Sequence, residues 1–302
     1  MAPHGEGSDA AEEAMVAQVE KHPISSILIV IAMQTEALPV VNKFQLTENP
    51  HSPFPKGVPW VHYHGTYKDL TLNLVWPGKD SALGSISHPI PKVSSISYMK
   101  MLNLLVSTWV KCIRHVKADM GVDSVGTISA SLVTYAAIQA LQPDLIINAG
   151  TSGGFKAKGA GIGDVFLASH VAFHDRRIPI PVFDLYGVGS RQAVSTPNLL
   201  KELNLKTGKL STGDSLDMSP HDEASITAND ATVKDMEGAA VAYVSDLLKV
   251  PAIFVKAVTD IVDGEKPTAE EFLQNLASVT AALDQAVTQV IDFISGKCLT
   301  DL

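Results

Sequence analysis

The sequence predicts an α/β fold with a largely parallel sheet covered on both faces. Short apolar runs rich in β-branched residues recur, ILIVIA at 27–32 and LIIN at 145–148, and such runs suit strands buried on both sides. Segments with helical spacing alternate with them, as in a sheet wound by crossover helices. Several runs end in small or polar residues, and open α/β sheets bind ligands at the carboxyl ends of their strands.

In chain order, residues 27–32 predict the first buried strand. Strands follow at 62–67 and 72–76, with Lys68-Asp69 as the turn between them. Residues 132–141 predict an amphipathic helix ending before Gln142-Pro143, because proline disfavours helix at the residue before it. The strand at 145–148 leads into a glycine loop at 149–154. A long strand is expected at 164–173 and a short helix at 197–203. Residues 210–212 form a strand leading into Gly213-Asp214. A helix at 236–249, a strand at 253–258 leading into Thr259-Asp260, and a closing helix at 268–295 complete the order.

The chain has 302 residues, enough for one large domain or two small ones, and a net charge of −9. An acidic balance excludes a nucleic-acid or anionic-membrane partner, which would require a basic face. No run of apolar residues is long enough for a membrane span. Cys112 and Cys298 alone provide no disulfide framework, which fits a reducing compartment. The acidic, Ala-rich residues 1–22 read as a disordered, solvated tail and not as a secretory or transit signal, so the expected location is cytoplasmic. No HExxH or other metal-ligand spacing occurs, and no metal or cofactor is expected. The loop GTSGG is neither GxGxxG nor a P-loop, and no GxSxG elbow is present.

Polar groups follow several strands and could converge on one rim. They are Met33-Gln34-Thr35-Glu36, Thr151 in the glycine loop, Gly213-Asp214-Ser215, Lys234-Asp235-Met236-Glu237, and Thr259-Asp260. Each carboxylate has a plainer reading. Glu36 could be a helix-dipole acid in a first turn. Glu237 could be a solvated helical residue, and Thr259-Asp260 an N-cap. His62 and His64 alternate on a strand and read as packing or surface residues. His174-Asp175-Arg176-Arg177 reads as a structural ion-pair cluster or as part of a ligand or subunit rim.

Taken together and in order, IAMQTEA (31–37), IINAGTSGGF (146–155), GDV (163–165), FHDRR (173–177), TGDS (212–215), KDMEGAAVA (234–242) and KAVTDIVDG (256–264) resemble the plant-type 5′-methylthioadenosine nucleosidases of the nucleoside phosphorylase family. The resemblance covers nearly all of 27–302 except 85–120. It implies a three-layer α/β/α domain with a central mixed, largely parallel sheet, in a homodimer. It implies hydrolysis of 5′-methylthioadenosine to adenine and 5-methylthioribose in methionine salvage, with S-adenosylhomocysteine a further candidate substrate.

Under the resemblance Asp260 is the acid that protonates purine N7, and Glu36 orients and deprotonates the attacking water. Glu237 holds the ribose hydroxyls, with Met236 against the sugar and Lys234 and Asp235 shaping the same loop. Met33 lines the ribose and alkylthio side, and Thr151 lies beside the sugar and the water. Leu216 and Asp217 belong to the segment whose backbone reads the adenine edge; the Asp217 carboxylate either bonds the purine or faces away. No basic residue follows the first strand, where phosphorylases of this family carry an arginine for phosphate, so water is the expected nucleophile. Lys256 replaces an arginine common in bacterial nucleosidases and reads as a partner of a carboxylate. The competing readings are a purine nucleoside phosphorylase and a storage-type relative without activity.

Residues 85–120 interrupt the resemblance. They hold Lys92, Lys100, Lys111, Arg114 and Lys117 against Asp119 alone, inside an otherwise acidic chain. The sequence on either side joins without a gap in the resemblance. The expectation is a single domain over 23–302 interrupted by intron-derived sequence, the alternative being a regulatory or partner-binding helix.

Overall fold

The computed structural model describes residues 22–80 and 121–302. The tail through residue 21 and the basic block at 85–120 lie outside them. Chain order gives β1 (Ser26–Val30), α1 (Gln34–Lys43), β2 (Thr47–Glu48), β3 (Val61–Tyr67), β4 (Leu70–Trp76), β5 (Lys79–Asp80), β6 (Val122–Asp123) and α2 (Thr127–Leu141). Then come β7 (Leu145–Gly154), β8 (Val165–Phe173), α3 (Phe183–Val188), β9 (Arg191–Gln192), α4 (Pro197–Leu203) and β10 (Lys206–Thr212). The chain ends with α5 (Pro220–Ala228), β11 (Val233–Asp235), α6 (Gly238–Leu247), β12 (Ala252–Ile261) and α7 (Thr268–Ile294). The described residues 79–80 and 121–123 belong to a unit of their own, in which β5 and β6 pair antiparallel. All the other elements belong to the main unit.

The main sheet runs β11-β10-β8-β12-β7-β1-β4-β3-β2, with β9 on β8. Parallel pairs join β1 to β4 and β7, β7 to β12, and β10 to β8 and β11. Antiparallel pairs join β12 to β8 and β3 to β4. One further antiparallel pairing, β11 with β7, closes five strands into a ring. The sequence pattern carries no sign of this closure, because β11 has only three residues.

Alternation along the central strands sends side chains to opposite faces. Ile27, Ile29, Leu145 and Ile147 pack with Val40 of α1 and Leu283, Val287 and Ile291 of α7. Leu28, Val30 and Ile146 pack with Val133 and Ala137 of α2 and Ala240 and Val244 of α6. Helices therefore cover both faces, and the architecture is the expected three layers. The charge-free, β-branched character of β1 follows from this double burial.

Four sequence expectations change. Residues 149–154 are not a loop but the second half of β7. Glycine serves this strand because side chains from its neighbours come close: a Cβ on Gly153 would lie 2.5 Å from Val262 Cγ2 and 2.9 Å from Asp260 Oδ2. Thr259 and Asp260 are likewise not an N-cap but lie within β12, where the register slips between Val258 and Asp260. The helix expected from 236 starts at Gly238, leaving Met236 and Glu237 on the turn before it. Helix α5, absent from the sequence expectations, starts at a capping box in which Ser219 Oγ accepts from Asp222 N and Asp222 Oδ2 accepts from Ser219 N.

Candidate active site

Glu36 sits in the first turn of α1, as the dipole reading anticipated, but it is buried and specifically held. Its Oε1 accepts from Thr151 N at 2.8 Å and from Thr151 Oγ1 at 2.7 Å. The Thr151 amide is available because β7 pairs with β1 only as far as Asn148 and with β11 only from Gly153. Burial raises the Glu36 pKa above its ordinary value, against the lowering effect of the Thr151 bonds and of the Lys256 charge. A carboxylate so placed is a stronger proton acceptor than a solvated one.

Beneath it lies a buried ion pair. Lys256 Nζ is 2.8 Å from Asp235 Oδ2, and both side chains are at most 1% exposed. Asp235 also accepts from Thr212 Oγ1 at 2.6 Å and from Gly238 N at 2.8 Å, so it anchors the start of α6. Thr212 Oγ1 in turn accepts from Ala239 N. A Cβ on Gly150 would lie 3.6 Å from both Glu36 Oε2 and Lys256 Nζ, in ordinary contact with each, so the acid and the ammonium meet over the same point of β7. Lys256 is thus a partner of a carboxylate, as its sequence position suggested.

Glu237, the residue before α6, accepts from Gly126 N through Oε1 at 2.9 Å. It is not the solvated helical residue of the plainer reading. Burial and the neighbouring Asp235 push its pKa from 4.5 up to about 7. The native state therefore holds this proton more tightly than the unfolded chain does, and stability present below pH 4.5 is lost as the pH rises toward 7. Glu237→Gln should consequently raise Tm at pH 8, by an amount set by a ceiling of roughly 3 kcal/mol, and leave it unchanged at pH 4.5. Thermal melts at the two pH values check this; an equal shift at both would contradict it.

Asp260 lies across β7 from this group. Its Oδ1 accepts from Thr259 Oγ1 at 2.8 Å, while Oδ2 is buried without a hydrogen-bond partner. Burial raises its pKa, and Lys234 partly offsets the rise. Lys234 Nζ donates to Ser215 O and Leu216 O, both at 2.8 Å, and so fixes the backbone of the 215–217 segment. Leu216 and Asp217 themselves are exposed on that segment. Met33 precedes α1 and its carbonyl accepts from Glu36 N; Met236 is half-buried between Asp235 and Glu237.

The structure therefore gathers Glu36, Thr151, Asp235, Glu237 and Lys256 around the middle of β7, with Asp260 and Lys234 further along it. The resemblance places Val125-Gly126-Thr127 near the ribose pocket, and the structure shows Gly126 and Thr127 binding Glu237 and Asp214; sequence reasoning missed Thr212, which holds Asp235. The FHDRR residues disperse. Arg177 pairs with Asp222 at 2.9 Å, Asp175 accepts from Asp214 N, Arg176 lies between the Phe173 and Tyr186 rings, and His174 is buried beside Ser211. His62 is packed against Asn73 and His64 is exposed, in line with the packing or surface reading. Among the described residues, no group of His, Cys, Asp or Glu could hold a metal ion.

A mixed three-layer sheet with three acids of raised pKa, Glu36, Glu237 and Asp260, defines a candidate site for acid–base chemistry. The chain belongs to the phosphorylase superfamily, whose family model matches residues 26–292. It is 62% identical over 304 residues to the 5′-methylthioadenosine nucleosidase of Arabidopsis thaliana, with all of both chains covered. It is 60% identical over 290 residues to a 5′-methylthioadenosine/S-adenosylhomocysteine nucleosidase of the same plant, covering 96% of this chain and all of the relative. The solved apo structure of Arabidopsis 5′-methylthioadenosine nucleosidase superposes with a TM-score of 0.80 at 63% identity, over 93% of this chain and all of that one.

Proposed function

We propose that this chain is a 5′-methylthioadenosine nucleosidase, hydrolysing the N9–C1′ bond to release adenine and 5-methylthioribose for methionine salvage. The observation that carries the reading is the pair of buried acids on either side of β7, Glu36 gripped by Thr151 and Asp260 with one oxygen unengaged. Cleavage passes through an oxocarbenium-like state, as in other glycoside hydrolyses. Asp260, kept protonated beyond the ordinary carboxyl range, gives its proton to N7 of the departing purine. Glu36 takes a proton from water as that water attacks C1′. Glu237 bonds the ribose hydroxyls, and Met33, Thr151 and Met236 line the sugar. The 216–217 backbone, fixed by Lys234, reads the adenine edge. The high identity to two plant nucleosidases supports this assignment.

The 33–37 turn after β1 carries Glu36 and no basic residue, so a phosphate nucleophile would meet a negative charge there. Adenine release should proceed without phosphate. Dependence on phosphate would make the protein a phosphorylase, and no release under either condition would favour the storage-type reading. The same assay with S-adenosylhomocysteine decides whether that substrate is also cleaved.

A homodimer is part of this proposal. Ile128, Leu132 and Tyr135 are exposed at i, i+4, i+7 spacing on one face of α2, and Val182, Phe183, Leu185 and Tyr186 are exposed around α3. Exposed apolar patches of this kind mark interaction sites. Light scattering should give twice the chain mass; a monomer would refute it. Cytoplasmic residence is proposed from the low cysteine content. No described helix is long and apolar enough to cross a membrane.

We also propose that residues 85–120 are foreign to a single working domain over 23–302. The apolar stretch MLNLLVSTWV within them would promote aggregation if exposed. Deleting 85–120 should raise soluble yield or activity. Equal yield and activity of the two proteins, or mature transcripts that uniformly encode the block, would defeat the proposal.

A further inference from the structure

Asp260 owes its direction to an irregularity. On β7, Ser152 and Gly153 are consecutive, yet they pair with Val258 and Asp260 of β12, so Thr259 is an extra residue. Such a bulge bends its strand and re-aims the side chain beside it. An isolated bulge leaves backbone groups without ladder partners, and here two side chains of one helix supply them. Glu271 Oε2 accepts from Ile261 N at 2.8 Å, and Asn275 Nδ2 donates to Thr259 O at 2.9 Å. The two residues are four apart on α7, one turn, so they reach the strand from the same helix face.

The bonded groups flank Asp260, one on each side of it. The Thr259 hydroxyl completes the arrangement, lying 2.8 Å from Asp260 Oδ1 and 3.2 Å from Ser152 O. Glu271 differs from its neighbour Glu270: both lie in the first turn of α7, but Glu270 is exposed while Glu271 is 6% exposed. A helix-dipole role would be served in solvent and gives no reason for burial.

We propose that Glu271 and Asn275 are positioning residues for Asp260, holding the bulge of β12 so that the acid faces the leaving base. The proposal rests on the assignment of Asp260 as the general acid. The charged groups that bear on the Asp260 carboxyl are Lys234 of β11, which favours ionisation, and Glu271 of α7, which opposes it. Lys266 lies 3.9 Å from Glu271 but is largely exposed, and screens it little.

Three variants of the full chain test this: Glu271→Gln, Glu271→Ala and Asn275→Leu. Glutamine keeps an acceptor for Ile261 N and removes the charge. Glu271→Gln should therefore retain kcat within about threefold at its optimum while moving the alkaline limb of the pH profile to lower pH. Glu271→Ala and Asn275→Leu release the bulge and should lower kcat by about 10–100-fold with little change in KM, since misplacing a reacting group by 1 Å costs up to ~100-fold. A merely structural role would lower Tm and leave the pH limb and the rescue by glutamine unseen. Folded variants with the parent kcat and pH profile would overturn the proposal.

A second readout needs no turnover. Titration of the Asp260 carboxyl by carbon-13 NMR, assigned with Asp260→Asn, should show a lower pKa in Glu271→Gln than in the parent. An unchanged titration would overturn the proposal even if the parent released no adenine. Absence of release from the parent would by itself count against the nucleosidase reading alone.

Discussion

Asp260→Asn should lower kcat for adenine release from 5′-methylthioadenosine by ~10²–10⁴-fold, the usual contribution of a positioned general acid. Asparagine keeps the size of the side chain and can still accept from Thr259, but it has no proton of suitable acidity for N7. The variant should be folded and no less stable than the parent, because the buried carboxyl it removes resists ionisation in the native state. Steady-state rates with saturating substrate, together with thermal melts, check both parts. A kcat within about threefold of the parent would remove Asp260 from the acid role.

Lys256→Met should have the largest effect on stability. The ammonium is the group paired with Asp235, and both lie out of solvent. Removing one member of a buried pair leaves the other uncompensated, which costs about 3–5 kcal/mol. Adding Asp235→Asn to Lys256→Met should return part of the loss, because the uncompensated charge is gone while Thr212 and Gly238 keep an acceptor. Urea unfolding at one protein concentration measures the set. A single-variant loss below about 1 kcal/mol would show that the pair is not buried in the working protein.

The alternation of strands and helices was legible because double burial demands β-branched runs that composition alone reveals. The strands β1, β3, β4 and β8 and the helices α4 and α7 fall where those runs and their flanking residues place them. The second half of β7 was not legible, since Ala149-Gly150-Thr151-Ser152-Gly153-Gly154 has the composition of a loop; what makes it a strand is the close packing of Asp260, Val262 and Val258 against its glycines. The slip at Thr259 was hidden because one extra residue leaves no periodic trace. Helix α5 could have been found from Ser219-Pro220 and Asp222, which satisfy the start of a helix by themselves.

The carboxylates of the site were found because Glu36 and Asp260 follow apolar runs that read as strands and Glu237 sits at the predicted helix start, and the resemblance supplied their roles. Their supporting contacts were not found. Thr212, Gly126 and Glu271 act through backbone or hydroxyl contacts across 23, 111 and 10 positions of sequence, respectively. Nothing in the residues alone separates Glu271 from Glu270.

The change of partners along β7 has a consequence for how this chemistry can vary. Between Asn148, where β1 stops, and Gly153, where β11 begins, the sheet has a short open seam, and the Thr151 amide that grips Glu36 belongs to it. A slip of one residue in β7 would turn every side chain of the strand to the opposite face and present a different residue at the seam. Strand register and placement of the base are thus a single specification. Insertions and deletions should be confined to the connections around the sheet, and altered specificity should come from those connections while the seam stays fixed.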